Sequence, residues 1–550
     1  MPEPVEETMS VAAALQAAAE AAGDRPAMIK GDRTIGYAEL DARAARLAGA
    51  LAASGVGPGS TVAIALYNSF EYIETALAAF KLGARPVNVN YRYLAPELHY
   101  VLDYTDAAAL VHDTALAAQV RQVAGDLPGL RLILEAGSET EPTGPSVAFE
   151  RAAEHEPIHE LAPSPHGIVL LTGGTTGRPK GVVWDRDGLL GILGSVFRQH
   201  GIEPPRTVGE VPERVRALDE IGGTPVVLPM SPLMHGTGLF HGLRTLFGGG
   251  TICFCSSRSL DADEVWRTVQ QHRVTEMVIV GDAFGRPLVA ALAAAEDAGQ
   301  AYDIGSLRNI TSSGVVWSPE VKRQLLRRGA MTLVDNISAS EGGPFGSAVA
   351  SSEEDVLDGR FTLAPVARVL DEHDRDIEPG TGQIGVLASA GPQPVGYLKD
   401  PDRTARVWRT IDGVRYAVPG DLASLDADGK LVLLGRGDGV INSGGEKVFP
   451  EEVEEALVTH PKVGEAVVVG VPDPRWGQIV VALVAPADAL AEVEDEALTG
   501  HVGERLAGYK RPRGIVRVDA IPRTPAGKIS RGTARDLATS HLKSMKEDTP

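Results

Sequence analysis

From residue 10 onward the apolar positions alternate between two spacings. Ser10 to Gly23 is alanine-rich and helical in character, and Ala27-Met-Ile29 reads as a short strand. Tyr37 to Ser54 puts its apolar residues on one face of a helix, and the apolar run Thr61 to Leu66 after a glycine-rich turn reads as a buried strand. A helix over Glu71 to Leu82 and a strand over Ala84 to Asn90 continue the alternation, which predicts α/β layers. Residues 138 to 165 are polar and proline-rich, a loop. Gly167 to Leu171 is a strand, a Gly/Thr-rich turn follows, and Leu189 to Phe197 is a helix. The charged stretch Glu203 to Thr224 predicts a surface insertion, near enough to the glycine-rich turn to cover it.

Three strand ends then recur, at Val278 to Phe284, Leu307 to Gly314 and Leu333 to Glu341, with a helix from Pro287 to Ala295 after the first. Their spacing suits parallel strands joined by helices, an arrangement that binds ligands at the strands' carboxyl ends. Past the glycine-dense stretch Leu431 to Lys447 the pattern changes. A helix over Glu451 to Val458, strands at Ala466 to Gly470 and Ile479 to Leu483, a helix over Glu494 to Ala507 and a strand at Ile515 to Val518 make a compact α+β unit. The predicted fold is therefore α/β. A large N-terminal domain of several subdomains, residues 1–437, carries parallel-rich sheets and helices, and a small mobile α+β domain follows at 438–550.

Composition narrows this picture. A chain of 550 residues exceeds one ordinary core, and 43% hydrophobic content is that of a globular protein. A net charge of −21 argues against nucleic acid as a partner. The N-terminus Met-Pro-Glu-Pro-Val-Glu-Glu is acidic and unlike a secretory signal, and no apolar run reaches transmembrane length, so a cytoplasmic protein is expected. The cysteines Cys253 and Cys255 read as buried strand residues.

The stretch with most chemistry is Leu171-Thr-Gly-Gly-Thr-Thr-Gly-Arg-Pro-Lys-Gly-Val-Val-Trp184. Glycines let backbone N–H groups approach an oligophosphate, Thr172, Thr175 and Thr176 add hydroxyls, and Lys180 adds charge. The order differs from Gly-x-x-x-x-Gly-Lys-Ser/Thr, so this is not a Walker A loop. With Pro179-Lys180-Gly181 the string resembles the phosphate loop of the adenylate-forming superfamily of acyl-CoA synthetases, amino-acid adenylation domains and firefly-type luciferases. Ordered matches run from the first helix–strand units to Pro525-Ala-Gly-Lys528. Gly173-Gly174, Trp184, Asp263-Glu-Val-Trp266, Gly281-Asp282 and Asn442-Ser-Gly-Gly-Glu-Lys447 are most similar to actinobacterial synthetases for sterol side-chain and other bulky acids.

The resemblance implies an AMP-forming acyl-CoA ligase that uses ATP, Mg²⁺ and coenzyme A. Thr172, Gly173, Gly174, Thr175, Thr176, Gly177 and Lys180 would hold the phosphates. Ser313, Gly314, Asn336, Ile337, Ser338 and Ser340 would surround the nucleotide, and Asp421 and Arg436 the ribose. Glu341 would hold Mg²⁺, and Lys528 would meet the carboxylate and α-phosphate during adenylation. His235, which alone would read as a structural histidine, would lie beside the acyl carboxylate. Gly238, Gly281, Asp282, Phe284, Ser312, Val315 and Ile337 would join it in the acyl pocket. Asp438 resembles a hinge residue, and Ser443, Gly444, Gly445 and Glu446 a pantetheine tunnel. Lys510, Arg511 and Arg513 could meet CoA phosphates or face solvent. Asn88 to Leu98 resembles a second core motif, for which a structural role is expected.

Departures stand at Gly173, where the family's loop has a hydroxyl, and at Ile337-Ser338, where it has Tyr-Gly. A lost hydroxyl and a lost stacking surface together lower the expected ATP affinity by roughly tenfold. An enzyme that mainly thioesterifies a supplied acyl-adenylate is thus an alternative to the full ligase. A luciferase-like oxygenase, an amino-acid adenylation module with Asp282 as amino-group ligand, and an acyl-adenylate binding protein without turnover are others. The sequence leaves the acid and the oligomeric state open, a homodimer included.

Overall fold

In the computed structural model the first helix spans Val11–Ala22, and the Ser10 hydroxyl caps it by accepting a bond from Ala13 N. Val11, Leu15, Ala18 and Ala22 form its buried stripe. The structure describes residues 9–547 except 138–140, 173–178, 315–316, 357–358, 437–438, 440, 444–445, 474–476, 489–493, 507 and 525–526. The side chains of residues 436, 442, 446, 447, 477 and 543–547 also lie outside the description. The chain divides into two compact units, residues 1–367 with 389–417 and residues 368–388 with 418–550.

The first unit holds two sheets. One runs in the order Gly396–Tyr397, Lys180–Asp185, His166–Thr172, Arg85–Asn88, Thr61–Ala65, Ala107–Asp113, Leu132–Ala136, Val147–Ala148. The strands from His166–Thr172 through Val147–Ala148 pair in parallel, and Thr61–Ala65 is buried along its whole length, as a central parallel strand must be. The Gly/Thr-rich loop was expected to lead from strand to helix. Instead it closes an antiparallel hairpin, because Lys180–Asp185 is a strand whose alternation buries Val182 and Trp184. The helix begins only at Arg186, capped by Asp185.

The second sheet of this unit places Val226–Pro229, Glu276–Ile279, Asn309–Ser313 and Thr332–Ala339 side by side in parallel, and Gly342–Ala350 folds back on the last. Cys253 is buried on the strand Thr251–Phe254, and Cys255 follows it half-buried. Two expectations change here. The helix expected from Pro287 spans Gly281–Asp297, so Gly281, Asp282 and Phe284 lie on its first turn rather than on a loop. Pro287 lies inside the helix, where it gives up one backbone hydrogen bond, and Gly281 enters at φ +52°, which favours glycine. The insertion after Glu203 is not wholly surface: helix Val211–Glu220 buries Val211, Val215 and Leu218 and packs on the first helix.

In the second unit, Asp421–Leu425 and Leu431–Arg436 form an antiparallel pair. A further sheet contains Ile441–Ser443, Glu446–Val448, Val463–Asp473, Gly477–Pro486 and Gly514–Arg517. Period-two alternation along Val463–Asp473 feeds two cores. Ala466 and Val468 face Val453, Leu457 and Leu498, whereas Val467, Val469 and Val471 face Ile521, Ala534 and Ala538. The helix Arg531–Glu547 behind the second core was not foreseen in the sequence. Among the described residues no helix is long and apolar enough to cross a membrane.

Candidate functional site

Thr172 and Lys180 are cross-strand partners, so the phosphate loop leaves and returns at one point of the sheet. Gly173, Gly174, Thr175, Thr176 and Gly177 lie outside the described residues. The return is braced by two tyrosines at i and i+4 on helix Ala95–Tyr104, their rings stacked 5.6 Å apart. The Tyr100 hydroxyl donates to the Pro179 carbonyl at 3.4 Å. The Tyr104 hydroxyl accepts from Gly181 N at 3.3 Å and donates to the Leu398 carbonyl at 2.7 Å.

Two asparagines, Asn88 buried and Asn68 half-buried, hold the segment before His235, and Asn88 also ties it to this hairpin. Asn88 Oδ1 accepts from Leu171 N at 2.7 Å, and its Nδ2 donates to the Met234 carbonyl, one residue before His235. Asn68 Nδ2 donates to the Pro229 carbonyl at 3.0 Å, and its Oδ1 accepts from Leu233 N at 2.7 Å. The loop that delivers His235 is thereby fixed at both ends. His235 is half-buried, at the N-cap position of helix Gly236–Phe247. Gly238 is needed there, since a Cβ would fall 2.4 Å from the Ser231 carbonyl. One turn on, His241 Nδ1–H donates to the Thr237 carbonyl at 2.7 Å, and burial pushes the imidazole down to about 3, so the ring is neutral at ordinary pH.

At the ends of the second sheet, Ser312 Oγ accepts from Gly281 N at 2.9 Å. Both carboxylate oxygens of Asp282 are engaged, one by Ser318 N at 2.8 Å and the other by Arg286 at 2.9 Å. Phe284 is half-buried against the core of this sheet. The Ser338 hydroxyl, which stands where glycine was expected, pairs with Ser313 Oγ at 3.0 Å. Asn336, Ile337 and Ser340 are half-buried along the strand end, and Gly314 is exposed at φ +96°. Val315 lies outside the described residues. Beneath the strand, Lys322 and Asp335 form a buried pair at 2.7 Å, and burial raises the Asp335 carboxyl above its usual range despite the lysine.

Glu341 is buried, 8% exposed. Its Oε1 accepts from the Tyr397 hydroxyl at 2.7 Å, and its backbone carbonyl accepts from Trp408 Nε1 at 3.1 Å. Its Oε2 accepts no hydrogen bond among the described residues. No group of three or more His, Cys, Asp or Glu among the described residues could form an all-protein metal cage. A lone, oriented carboxylate fits Mg²⁺ brought by a nucleotide, because Mg²⁺ keeps waters and phosphate oxygens and takes one or two carboxylates.

The second unit carries the remaining candidates. Asp421 is half-buried and lies opposite Arg436 in the ladder; the Arg436 side chain is outside the description. Nearby, Arg531 joins Glu451 at 2.9 Å and Glu454, and burial pushes the Glu451 carboxyl up to about 7. Lys528 is exposed on a turn in which Thr524 N donates to the Lys528 carbonyl at 2.7 Å and Gly527 sits at φ +78°. Arg523 clamps that turn, donating to the Gly527 carbonyl at 3.1 Å and pairing with Glu465 at 2.8 Å. Ser443 is buried in the sheet opposite Glu446; Asp438, Gly444, Gly445 and the Glu446 side chain lie outside the described residues. Lys510 pairs with Glu452 at 2.5 Å.

Sequence reasoning missed Asn68, Tyr100, Tyr104, Tyr397 and Trp408 as site supports. A polar Asn88 between Val87 and Val89 at a strand end, and tyrosines four apart beside it, were visible signals.

A model of the AMP-binding enzyme family matches residues 15–397, and a model of the AMP-binding enzyme C-terminal domain matches residues 452–528. The chain is 38% identical over 541 residues to a medium/long-chain-fatty-acid–CoA/3-oxocholest-4-en-26-oate–CoA ligase of Mycobacterium marinum, covering 94% of this chain and 95% of the relative. It is 37% identical over 541 residues to a 3-oxocholest-4-en-26-oate–CoA ligase of Rhodococcus rhodochrous, covering 96% of each. Among solved structures, the anthranilate CoA ligase AuaEII in complex with anthranoyl-AMP has the same fold, with a TM-score of 0.80, 22% identity and coverage of 98% and 99%.

Proposed function

The chain belongs to the AMP-binding enzyme family, and we propose that it is an acid–thiol ligase converting a bulky apolar carboxylic acid to its CoA thioester. The structural observation that carries the reading is the buried Glu341 carboxylate, one oxygen bound by Tyr397, in the same unit as the phosphate hairpin. Identity of 37–38% along nearly the whole chain to ligases named for fatty acids and a steroid acid supports the substrate class.

In the first step a carboxylate oxygen of the acid attacks the α-phosphorus of ATP, an acyl–phosphate bond forms, and pyrophosphate leaves. In the second, the CoA thiol sulfur attacks the acyl carbonyl, AMP leaves, and the thiol proton passes to solvent. Thr172 to Lys180 bind the phosphates, Asp421 and Arg436 the ribose, and Ser313, Asn336, Ile337 and Ser338 flank the nucleotide. Mg²⁺ held by Glu341 would neutralise phosphate charge. Lys528 stabilises charge at the α-phosphate, His235 orients the acyl carboxylate, and Ser312, Gly281, Phe284 and Val315 line the acyl pocket. Residues 438–550 turn about Asp438 between the two steps, and Ser443 to Glu446 receive pantetheine. The enzyme works in the cytoplasm; a homodimer is compatible with this reading.

Identity along nearly the whole chain to relatives named as CoA ligases favours the full ligase over a thioesterifying remnant. Mass spectrometry of products from a carboxylic-acid panel with ATP, Mg²⁺ and CoA tests this, omitting each cosubstrate in turn. Steroid-acid and long-chain thioesters are expected, with kcat/KM above that for acetate; acetate turned over equally well would overturn the pocket assignment.

A further inference from the structure

We propose that Tyr397 is a positioning residue for adenylation: its hydroxyl occupies one oxygen of Glu341 and leaves the other to the cation of the nucleotide. The inference rests on the reading of Glu341 as the cation ligand given above.

Four observations carry it. First, the bond is short and dry. The hydroxyl is 2.7 Å from Oε1, and both residues are at least nine-tenths buried. Without the donor, Oε1 would be a buried acceptor that water cannot readily reach, and the carboxylate would turn to satisfy itself. Second, the phenol cannot follow it. Tyr397 N donates to Thr404 Oγ1 at 2.9 Å, the ring meets Trp408 edge-on at 5.0 Å, and the Arg403 guanidinium lies 5.3 Å from the ring centre. The preceding Gly396 sits against Thr404, where a Cβ would fall 2.5 Å from Cγ2. Third, the donor is neutral. An arginine would make the same bond, but its charge would oppose a divalent cation at the second oxygen; a phenol orients the carboxylate and leaves its charge intact.

Fourth, the same short segment reaches the phosphate hairpin. Gly396 and Tyr397 pair with Val183 and Val182, and the Leu398 carbonyl accepts from the Tyr104 hydroxyl, which in turn accepts from Gly181 N beside Lys180. Gly396-Tyr397-Leu398 therefore fixes the spacing between the residue expected to hold the cation and the lysine expected to meet the phosphates.

The test uses the full-length protein and Mn²⁺ as a probe for the cation. Binding of Mn²⁺ with α,β-methylene-ATP, whose α–β bridge cannot be cleaved and which therefore cannot adenylate the acid, is followed by Mn²⁺ electron paramagnetic resonance without turnover. Tyr397→Phe is expected to weaken the enzyme-bound Mn²⁺–nucleotide complex by about 10–100-fold, the usual cost of losing a partner of a metal ligand. It should also raise the KM for Mg²⁺ in pyrophosphate release more than it lowers kcat at saturating Mg²⁺. Glu341→Gln separates the two readings. If Glu341→Gln leaves Mn²⁺ binding unchanged, the assignment of Glu341 falls, and the inference falls with it. If Glu341→Gln weakens binding and Tyr397→Phe does not, the cation ligand stands and Tyr397 has no part in holding it. Trp408→Phe removes the bond to the Glu341 backbone while keeping an aromatic ring beside Tyr397; a loss equal to that of Tyr397→Phe would mean general loosening and would overturn the proposal.

Discussion

Around Glu341 the holding groups are buried and neutral: a tyrosine hydroxyl and an indole N–H. Around Lys528 they are exposed and ionic, with Arg523 pairing Glu465 and reaching back to the Gly527 carbonyl. Buried neutral bonds have steep directional preferences and no competing water, so they hold one orientation. Exposed ion pairs are screened, exchange with water and contribute little. The contrast matches the proposed division of labour, in which Glu341 serves at a fixed place, whereas Lys528 acts in adenylation and then gives way.

The sharpest way to break the contrast is to attack the buried side at the Lys322–Asp335 pair. Lys322→Met leaves Asp335 buried without its partner, a loss expected to cost about 3–5 kcal/mol. Urea unfolding of the variant measures it; a loss below about 1 kcal/mol would show that this region is no more rigidly held than a surface. Burial already raises the Asp335 carboxyl, so its folded-state pKa lies above the unfolded one. Its stabilising contribution is therefore complete below the unfolded pKa and is lost as pH rises through the folded one. The defect in Lys322→Met should accordingly shrink toward acid pH.

Next in size is the exposed lysine. Lys528→Ala is expected to slow acid-dependent pyrophosphate release by on the order of 10²–10³, the typical loss for one transition-state donor. Given synthetic acyl-AMP and CoA, the variant should still form thioester near the wild-type rate. Equal losses in both assays would make Lys528 structural or shared and would remove the reason for a weakly held loop.

Asn88→Ala probes a neutral brace. It leaves Leu171 N and the Met234 carbonyl without their partner, at an expected cost of about 1–3 kcal/mol. Because these atoms belong to the phosphate strand and to the loop before His235, kcat for adenylation should fall as well. A stability loss with unchanged kinetics would confine Asn88 to the core.

The same contrast marks what could be read along the chain. Runs such as Thr61 to Leu66, and the alternation around Val467, are statements about burial that local pattern carries directly. The helix start at Gly281 was misplaced because Pro287 is a strong local signal, and only the sheet end at Ile279 shows that the turn before it is already helical. The strand Lys180–Asp185 was missed because one of its two partners, Tyr397, is distant in sequence; the other, Val169, lies across the hairpin. Site residues within one motif were legible as candidates. Their supports were not: Glu341 and Tyr397 are 56 residues apart, and Tyr104 and Leu398 are 294 apart. The Ile337-Ser338 departure looked like a defect in the linear chain, yet the Ser338 hydroxyl has a partner, Ser313, that only the adjacent strand supplies.

Within the ionic region, Glu451 is the exception that sharpens the rule. Burial pushes its carboxyl up to about 7 from 4.5, although Arg531 opposes the shift. The folded-state value is the higher one, so its contribution is present below pH 4.5 and is lost as pH rises toward 7. With 36% of the side chain exposed, solvent screening keeps the effect small. Glu451→Gln should flatten the pH dependence of stability across that window, read from thermal melts at a series of pH values. An unchanged slope would show that the Glu451 carboxyl is not raised in the folded state.

The smallest effect is the most diagnostic of the exposed side. Arg523 and Glu465 are 40% and 52% exposed, so Arg523→Ala should cost no more than about 1 kcal/mol of global stability. Its consequence should be local, because the guanidinium also holds the Gly527 carbonyl on the turn that presents Lys528. Adenylation in the wild type should weaken modestly between low and high salt as the pair is screened, and Arg523→Ala should abolish that salt dependence while leaving capture of supplied acyl-AMP unaltered. A wild-type rate insensitive to salt, together with a large stability loss in Arg523→Ala, would place this turn with the rigid braces of Glu341. The difference in materials between the two regions would then have no functional meaning.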